Sequence, residues 1–455
     1  MKKELLILLV VVVLSAARLG AAEEVPATKA EFSSGYVTKD LQRTVDPVIS
    51  KGKDLQGMKD LTLEGFRLFA YHRDQWEPVP FQIDEIDEDG LYVLPLGKKP
   101  NKDNGKAQLP EKLDDNDEIV FMAMDLGDRA PKGKWPVRER HAAEIEVRDT
   151  LSGGRGWAYL FWSENPSPPS TRDYVRFDPG EDRIHSELYT LGYSPAKDLV
   201  YTTYMAIPPG CGGSDVNLLD RINIRFTASI FLKSITFSRN EDDFISEVIA
   251  YKDGPVRAMR RVANSLRLVL GLQSPKIIAY SMYYRDAIET PNTLHLPVGL
   301  GTVAKSIYFE GGSDYSHNGL GMQFYSSNNP KGVVVDGRMS PQELAMDYGE
   351  HVWTMMSGPQ GHILARLEMG PGFREVLGKN LIYTDDVQRS NAPEGEPGAT
   401  PKIGYAFTNI LALKRGTYYY NVRFHFLRSY RPGREKPYLD ILDHPLEIKA
   451  GPIDL

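Results

Sequence analysis

The chain has 455 residues, 41% hydrophobic and 25% charged, with a formal net charge of −7 and a single cysteine, Cys211. That composition excludes general disorder, and the acidic balance argues against a nucleic-acid partner. One cysteine excludes an internal disulfide, a c-type haem, an iron–sulfur cluster and a cysteine-built zinc site.

The first 22 residues read as a cleaved secretory signal: a basic Met1-Lys2-Lys3, an apolar run from Leu5 to Leu14, and small residues at Gly20 and Ala22. The run is too short to span a membrane, and Arg18 interrupts it. Removing this leader leaves 433 residues, enough for two or three domains at roughly 150 residues each. The mature protein is expected to be periplasmic, on the outer surface or extracellular. No later stretch has the length and apolarity of a transmembrane helix.

Residues 23–165 form the first expected unit, a β domain with strand-like runs at 61–71, 118–124, 142–147 and 157–162. Two acidic loops interrupt it. Asp87, Asp89 and Gly90 have the one-apart acids and turn glycine of a calcium loop, and Asp114, Asp115, Asn116 and Asp117 would bring further oxygens. The EF-hand spacing with its closing Glu is absent. The same residues also suit hairpin turns, where Asp and Asn hydrogen-bond the local backbone. Calcium and plain turns are both open on this evidence.

The Pro/Ser-rich stretch Asn165-Pro166-Ser167-Pro168-Pro169-Ser170 marks the expected boundary. Residues 171–455 form the second unit. Ile222, Ile224 and Phe226 alternate with polar residues. From 276 to 288, one strand is expected with Ile278, Tyr280, Met282, Tyr284 and Ile288 on its buried face. Tyr283 and Arg285 then fall on the polar face. Ser340-Pro341-Gln342-Glu343 is the best helix start, with a capping serine, proline at the first position and a capping-box glutamate. Residues 386–402 are a loop or linker. In the run from Thr417 to Phe426, Tyr418, Tyr420, Val422, Phe424 and Phe426 share one face, and Tyr419, Asn421, Arg423 and His425 the other. Forty glycines and 31 prolines punctuate these runs, as many short strands require. The expected fold is all-β: antiparallel sandwich domains with few short helices.

The segment from Pro78 to Asp84 reads Pro-Val-Pro-x-Gln-x-Asp. With Asp89-Gly90 and Asn116-Asp117-Glu118-Ile119-Val120-Phe121, it resembles secreted bacterial proteins that lie near polysaccharide-lyase and other sugar-processing families. Gly254-Pro255-Val256-Arg257 is similar to a turn and strand in their galactose-mutarotase-like supersandwich domains. The two windows cover about 50 residues. The resemblance implies a supersandwich-like larger domain and a carbohydrate role, and it carries over no catalytic residue.

For a sugar-acid lyase, His317, Tyr315, His351, His425 and Arg423 have the right chemistry: a base, an acid and a carboxylate-neutralising cation. For stacking on a sugar, Tyr283 and Tyr419 are the candidates, with Arg285 and Asn421 beside them. No His-Glu-x-x-His, Gly-x-Ser-x-Gly, Gly-x-Gly-x-x-Gly or Walker pattern appears, so no nucleotide cofactor is expected. The leading reading is an exported protein that binds a glycan or another extracellular ligand. The alternatives are a polysaccharide lyase and an assembly component of the cell envelope.

Overall fold

The computed structural model describes residues 36–100, 111–136, 141–194, 201–231, 235–267, 273, 277–389 and 396–453. The leader expected at 1–22 and part of the 386–402 loop lie outside these residues. The fold is all-β, with five sheets, antiparallel pairing throughout the described ladders and only short helices. Among the described residues, no helix is long and apolar enough to cross a membrane.

The first body is a sandwich. A three-stranded sheet (Pro47–Lys51, Glu118–Met122, Phe81–Asp84) faces a five-stranded one built around His141–Arg148 and Arg155–Trp162. Their inward residues, including Val48, Leu68, Phe121, Ile145 and Leu160, form one buried core. The C-terminal strand Glu447–Pro452 also belongs to this sheet, pairing Ile448 with Val147. The Pro/Ser-rich stretch is therefore not a clean cut, because the chain returns after the second body and closes the edge of the first.

The second body sets a nine-stranded sheet against a five-stranded one, with a four-stranded sheet at one end. The helix Pro341–Leu344 forms where its signal stands, with Ser340 and Glu343 exchanging capping-box hydrogen bonds. The strand expected over 276–288 is instead a hairpin, Ile277–Tyr284 and Ala287–Leu296, turning at Arg285-Asp286. The turn resets the alternation, so Ile288 lies opposite Tyr283 rather than beside Tyr284. Both faces of this hairpin are buried. Tyr280, Met282 and Tyr284 pack on Ile86, Tyr92 and Leu94 of the first body, while Tyr283 joins the core between the sheets.

The two windows of resemblance meet at the junction of the bodies. The Gln82 side-chain oxygen accepts the backbone N–H groups of Val256 and Arg257. Gly254 packs against that amide, where a Cβ would overlap it. Arg257, wholly buried, donates Nε to Asp84 at 2.7 Å and Nη2 to Glu118 at 2.6 Å. Lys252 pairs with Asp84 at 2.8 Å and Lys51 with Glu118 at 2.6 Å. Burial alone would raise both carboxyls, yet the surrounding cations hold them below their ordinary values. The windows thus encode a structural joint, closed to any substrate.

Candidate functional site

The facing sheets of the second body do not fill the space between them. On the five-stranded sheet, Ile222, Ile224 and Phe226 of Leu219–Ile230 lie opposite Ser313, Gly311 and Phe309 of Ala304–Tyr315. Gly311 in turn pairs with Tyr405. The other wall comes from Thr290, Asn292, Leu367, Val422 and Phe424. Between them lies a cavity of about 500 Å³, within the roughly 300–1,000 Å³ of small-molecule sites. Close-packed interiors hold few voids larger than a water molecule, and this space stands out against that rule.

Gly311 makes part of that space. A Cβ built there would meet nothing within 4 Å. Its neighbours Gly312 and Gly404 serve a different purpose: added Cβ atoms would overlap the Ile403 and Gly311 carbonyl oxygens, so these glycines let the two strands approach. Ile222, Ile224, Phe309, Val422 and Phe424 are only half-buried, although they face inward. Among the described residues, the lining contains no Lys, Arg or His, and its one acid, Glu241, pairs with Arg221 and Arg225.

The residues proposed for catalysis are dispersed. Tyr315 is on the inner wall, and burial pushes its hydroxyl pKa well up. His317 stands exposed on the short 3-10 turn His317–Gly319, 3.6 Å from Glu396. His351 is buried and stacks flat on Tyr405 at 4.9 Å. Arg423 and His425 lie on the outer face of Gly416–Phe426, Arg423 between Glu289 at 3.0 Å and Glu368 at 3.6 Å, His425 against Tyr438. The lyase constellation is not assembled, because alternation sends Tyr315 inward and Arg423 and His425 outward.

The ligand-stacking residues also part. Tyr283 is buried on the inner wall, its hydroxyl hydrogen-bonded to Tyr193, and the Arg260 guanidinium covers the Tyr193 ring at 3.7 Å. Arg285 sits in the hairpin turn and grips Glu187 through two nitrogens, at 2.8 and 3.1 Å. Tyr419, 42% exposed, and Asn421 share the outer face with Arg423. Sequence reasoning missed Glu289, Glu368 and Arg366, which join Arg423 in a charge ladder across three strands. The register that opposes Glu289 and Arg366 to Arg423 is not visible in the chain.

The acidic loops are occupied by their own backbone. The Asp87 carboxylate accepts N–H groups of Asp89 and Leu91, and Asp114 accepts those of Asn116 and Asp117. Asp117, buried, accepts from Ile86 and Asp114, while Asp115 pairs with Lys59 at 2.6 Å. The bonds within each loop are those of Asx turns, and the one from Ile86 to Asp117 ties the two loops together. Among the described residues, no three or more His, Cys, Asp or Glu are grouped to hold a metal ion.

Burial lowers the His351 pKa to about 4. Burial, with Arg423 and Arg366 nearby, lowers that of His425 to about 3. Both fall below the unfolded value of 6.5, so the unfolded state binds more protons on acidification. Their contribution is complete above pH 6.5 and is lost as pH falls towards 4 and then 3. Urea midpoints measured from pH 7.5 to 4 should fall with acidity. His425→Phe should flatten that slope, and an unchanged slope would remove His425 as a source of it.

No protein-family model and no curated protein matches the chain. Among solved structures, it is similar to an alpha-mannosidase from Enterococcus faecalis V583, with 9% identity and a TM-score of 0.43, over 92% of this chain and 45% of that one. It is also similar to a protein in the glycosyl hydrolase family 38 from Enterococcus faecalis, with 9% identity and a TM-score of 0.41, over 92% of this chain and 47% of that one. The chain spans less than half the length of these neighbours.

Proposed function

We propose that this protein binds a largely apolar small molecule between the two facing sheets of its second body. The observation that carries this reading is the cavity of about 500 Å³, walled by half-buried Ile, Val and Phe side chains. Apolar surface exposed inside a sandwich is stabilised when an apolar ligand displaces its water. The dispersed histidines favour binding over catalysis, since a general base must lie within hydrogen-bond reach of the proton it takes. Titration with the neutral fluorophore aminoanthracene should show saturable, one-site enhancement. A linear, unsaturable response would defeat the reading.

A second reading places a glycan on the outer face of the nine-stranded sheet. It rests on exposed Tyr419 standing in one row with Asn421 and Arg423, beside Glu368 and Glu289. With a stacked ring taken to contribute about as much as an aromatic pair, about 0.5–1.5 kcal/mol, Tyr419→Ala should weaken oligosaccharide binding by roughly two- to tenfold. Calorimetry with acidic and neutral fragments tests this, and identical affinities for wild type and variant would dismiss Tyr419 as a platform.

A further inference from the structure

The walls of the cavity are not uniform, and their polar part has a definite place. The hairpin strands Ile277–Tyr284 and Ala287–Leu296 pair only at Met282 with Glu289 and Tyr283 with Ile288. Beyond those two pairs, no ladder joins them among the described residues. Ala287–Leu296 stays fully paired to Gly416–Phe426 on its other side, so the sheet opens into a slot. Ser281, Thr290 and Asn292 border this slot, and Asn264 and Ser246 lie on the next strands along. At the slot, Asn292 turns its amide back onto the Thr290 carbonyl at 2.7 Å, supplying a hydrogen bond that a neighbouring strand would otherwise provide. Ser246 donates to Asn264 Oδ1 at 2.6 Å, which leaves the Asn264 amide nitrogen free to donate elsewhere. Beside the slot on the same wall, Val422 and Phe424 and then Leu367 continue as apolar surface, and Phe309 faces them from the other sheet.

We infer that the bound molecule is an uncharged amphiphile, with an apolar chain along the Val422–Phe309 side and a hydroxyl- or amide-type head in the slot beside Asn264, Ser281 and Asn292. This rests on the cavity reading above and adds the chemistry of the ligand. Among the described residues, every polar side chain at the slot is neutral, and the lining offers no cation for a carboxylate head. Its one carboxylate is already engaged, since Glu241 accepts the Ile224 N–H at 2.9 Å and pairs with Arg221 and Arg225. A charged head drawn into this space would lose its hydration without gaining a counter-charge, whereas a hydroxyl exchanges water for Asn and Ser partners at little net cost.

Three probes sharing one twelve-carbon chain separate the possibilities: dodecanol, dodecanoate and dodecyltrimethylammonium. Each is titrated into the full chain against bound aminoanthracene. Dodecanol should displace the dye at concentrations at least tenfold below either ion. Ser281→Ala and Asn264→Leu should each reduce that preference, read as the ratio of alcohol to ion displacement within each variant, with the thermal midpoint as the control for an intact fold. Equal displacement by the ions, or an alcohol preference unchanged in both folded variants, would overturn the assignment of a neutral head while leaving the cavity as the binding site. If the dye itself never binds saturably, the cavity reading fails first, and the head-group assignment falls with it.

Discussion

Gly311→Phe is expected to abolish ligand uptake while leaving the fold in place. Gly311 lies in the centre of the five-stranded sheet's inner face, between Ile224 and Tyr405 in the register, and its missing side chain is a share of the cavity. Nothing stands within 4 Å of an added Cβ, so the new ring enters space rather than a neighbour. A glycine inside a strand is destabilising by roughly 0.5–1 kcal/mol relative to alanine, and burying a phenylalanine side chain contributes about 1.5–3 kcal/mol. The thermal midpoint should therefore hold or rise. Ligand affinity should fall by more than about a hundredfold, since a chain and a ring cannot share one lane. Gly312→Ala is the contrasting control: its Cβ would overlap the Ile403 carbonyl, so it should lower the midpoint sharply. Wild-type aminoanthracene binding by a folded Gly311→Phe protein would place the ligand elsewhere.

Much of the fold was legible in the chain because strand alternation is a local property. The run from Thr417 to Phe426 has Val422 and Phe424 inside and Tyr419, Asn421 and Arg423 outside, as its period-two pattern predicts. Alternation misleads where its premise of one buried face fails. Tyr283 reads as polar-faced only because its opposite face carries Tyr280, Met282 and Tyr284, and both faces are covered, by the smaller sheet and by the first body. Ile288 changes face because a two-residue turn was invisible inside a continuous apolar pattern. The site was less legible than the fold. Gly311 is one of a glycine pair, and nothing local distinguishes the glycine that leaves space from Gly312, which permits close approach. Emptiness is a property of two sheets at their assembled distance. The same holds for Glu289 and Arg366, whose meeting with Arg423 depends on register between strands far apart in the chain. The resemblance windows were legible as a unit, and their meaning changes once Gln82, Glu118 and Arg257 are seen in one buried cluster.

Arg257→Met is expected to cost about 3–5 kcal/mol of stability, the range for removing one partner from a buried ion cluster. The cost arises less from the lost attraction than from what is left behind: Asp84, fully buried, and Glu118, nearly so, facing a side chain that can donate nothing. Lys252 and Lys51 still reach those carboxylates, at 2.8 and 2.6 Å, which places the expected value at the lower end. Arg257→Lys should recover little, because a single ammonium cannot reproduce the planar fork that reaches Asp84 through Nε and Glu118 through Nη2. The pH dependence follows from the direction of the shifts. Asp84 and Glu118 are held below their ordinary 3.8 and 4.5, so the unfolded state takes up protons first as acid is added. Their contribution is complete above about pH 4.5 and is lost as pH falls through the lowered folded values. In Arg257→Met the carboxyls lose that protection, so the gap between variant and wild type should be widest near pH 7 and should narrow in acid. Urea unfolding at pH 7.5 and pH 4 measures both quantities. A variant as stable as wild type at pH 7.5 would show that the joint between the bodies rests on the apolar contacts of Ile86, Tyr92 and Leu94 rather than on charge. A loss that does not narrow with acid would assign the effect to the guanidinium's contact with the Tyr92 ring and its hydrogen bond to the Tyr284 hydroxyl.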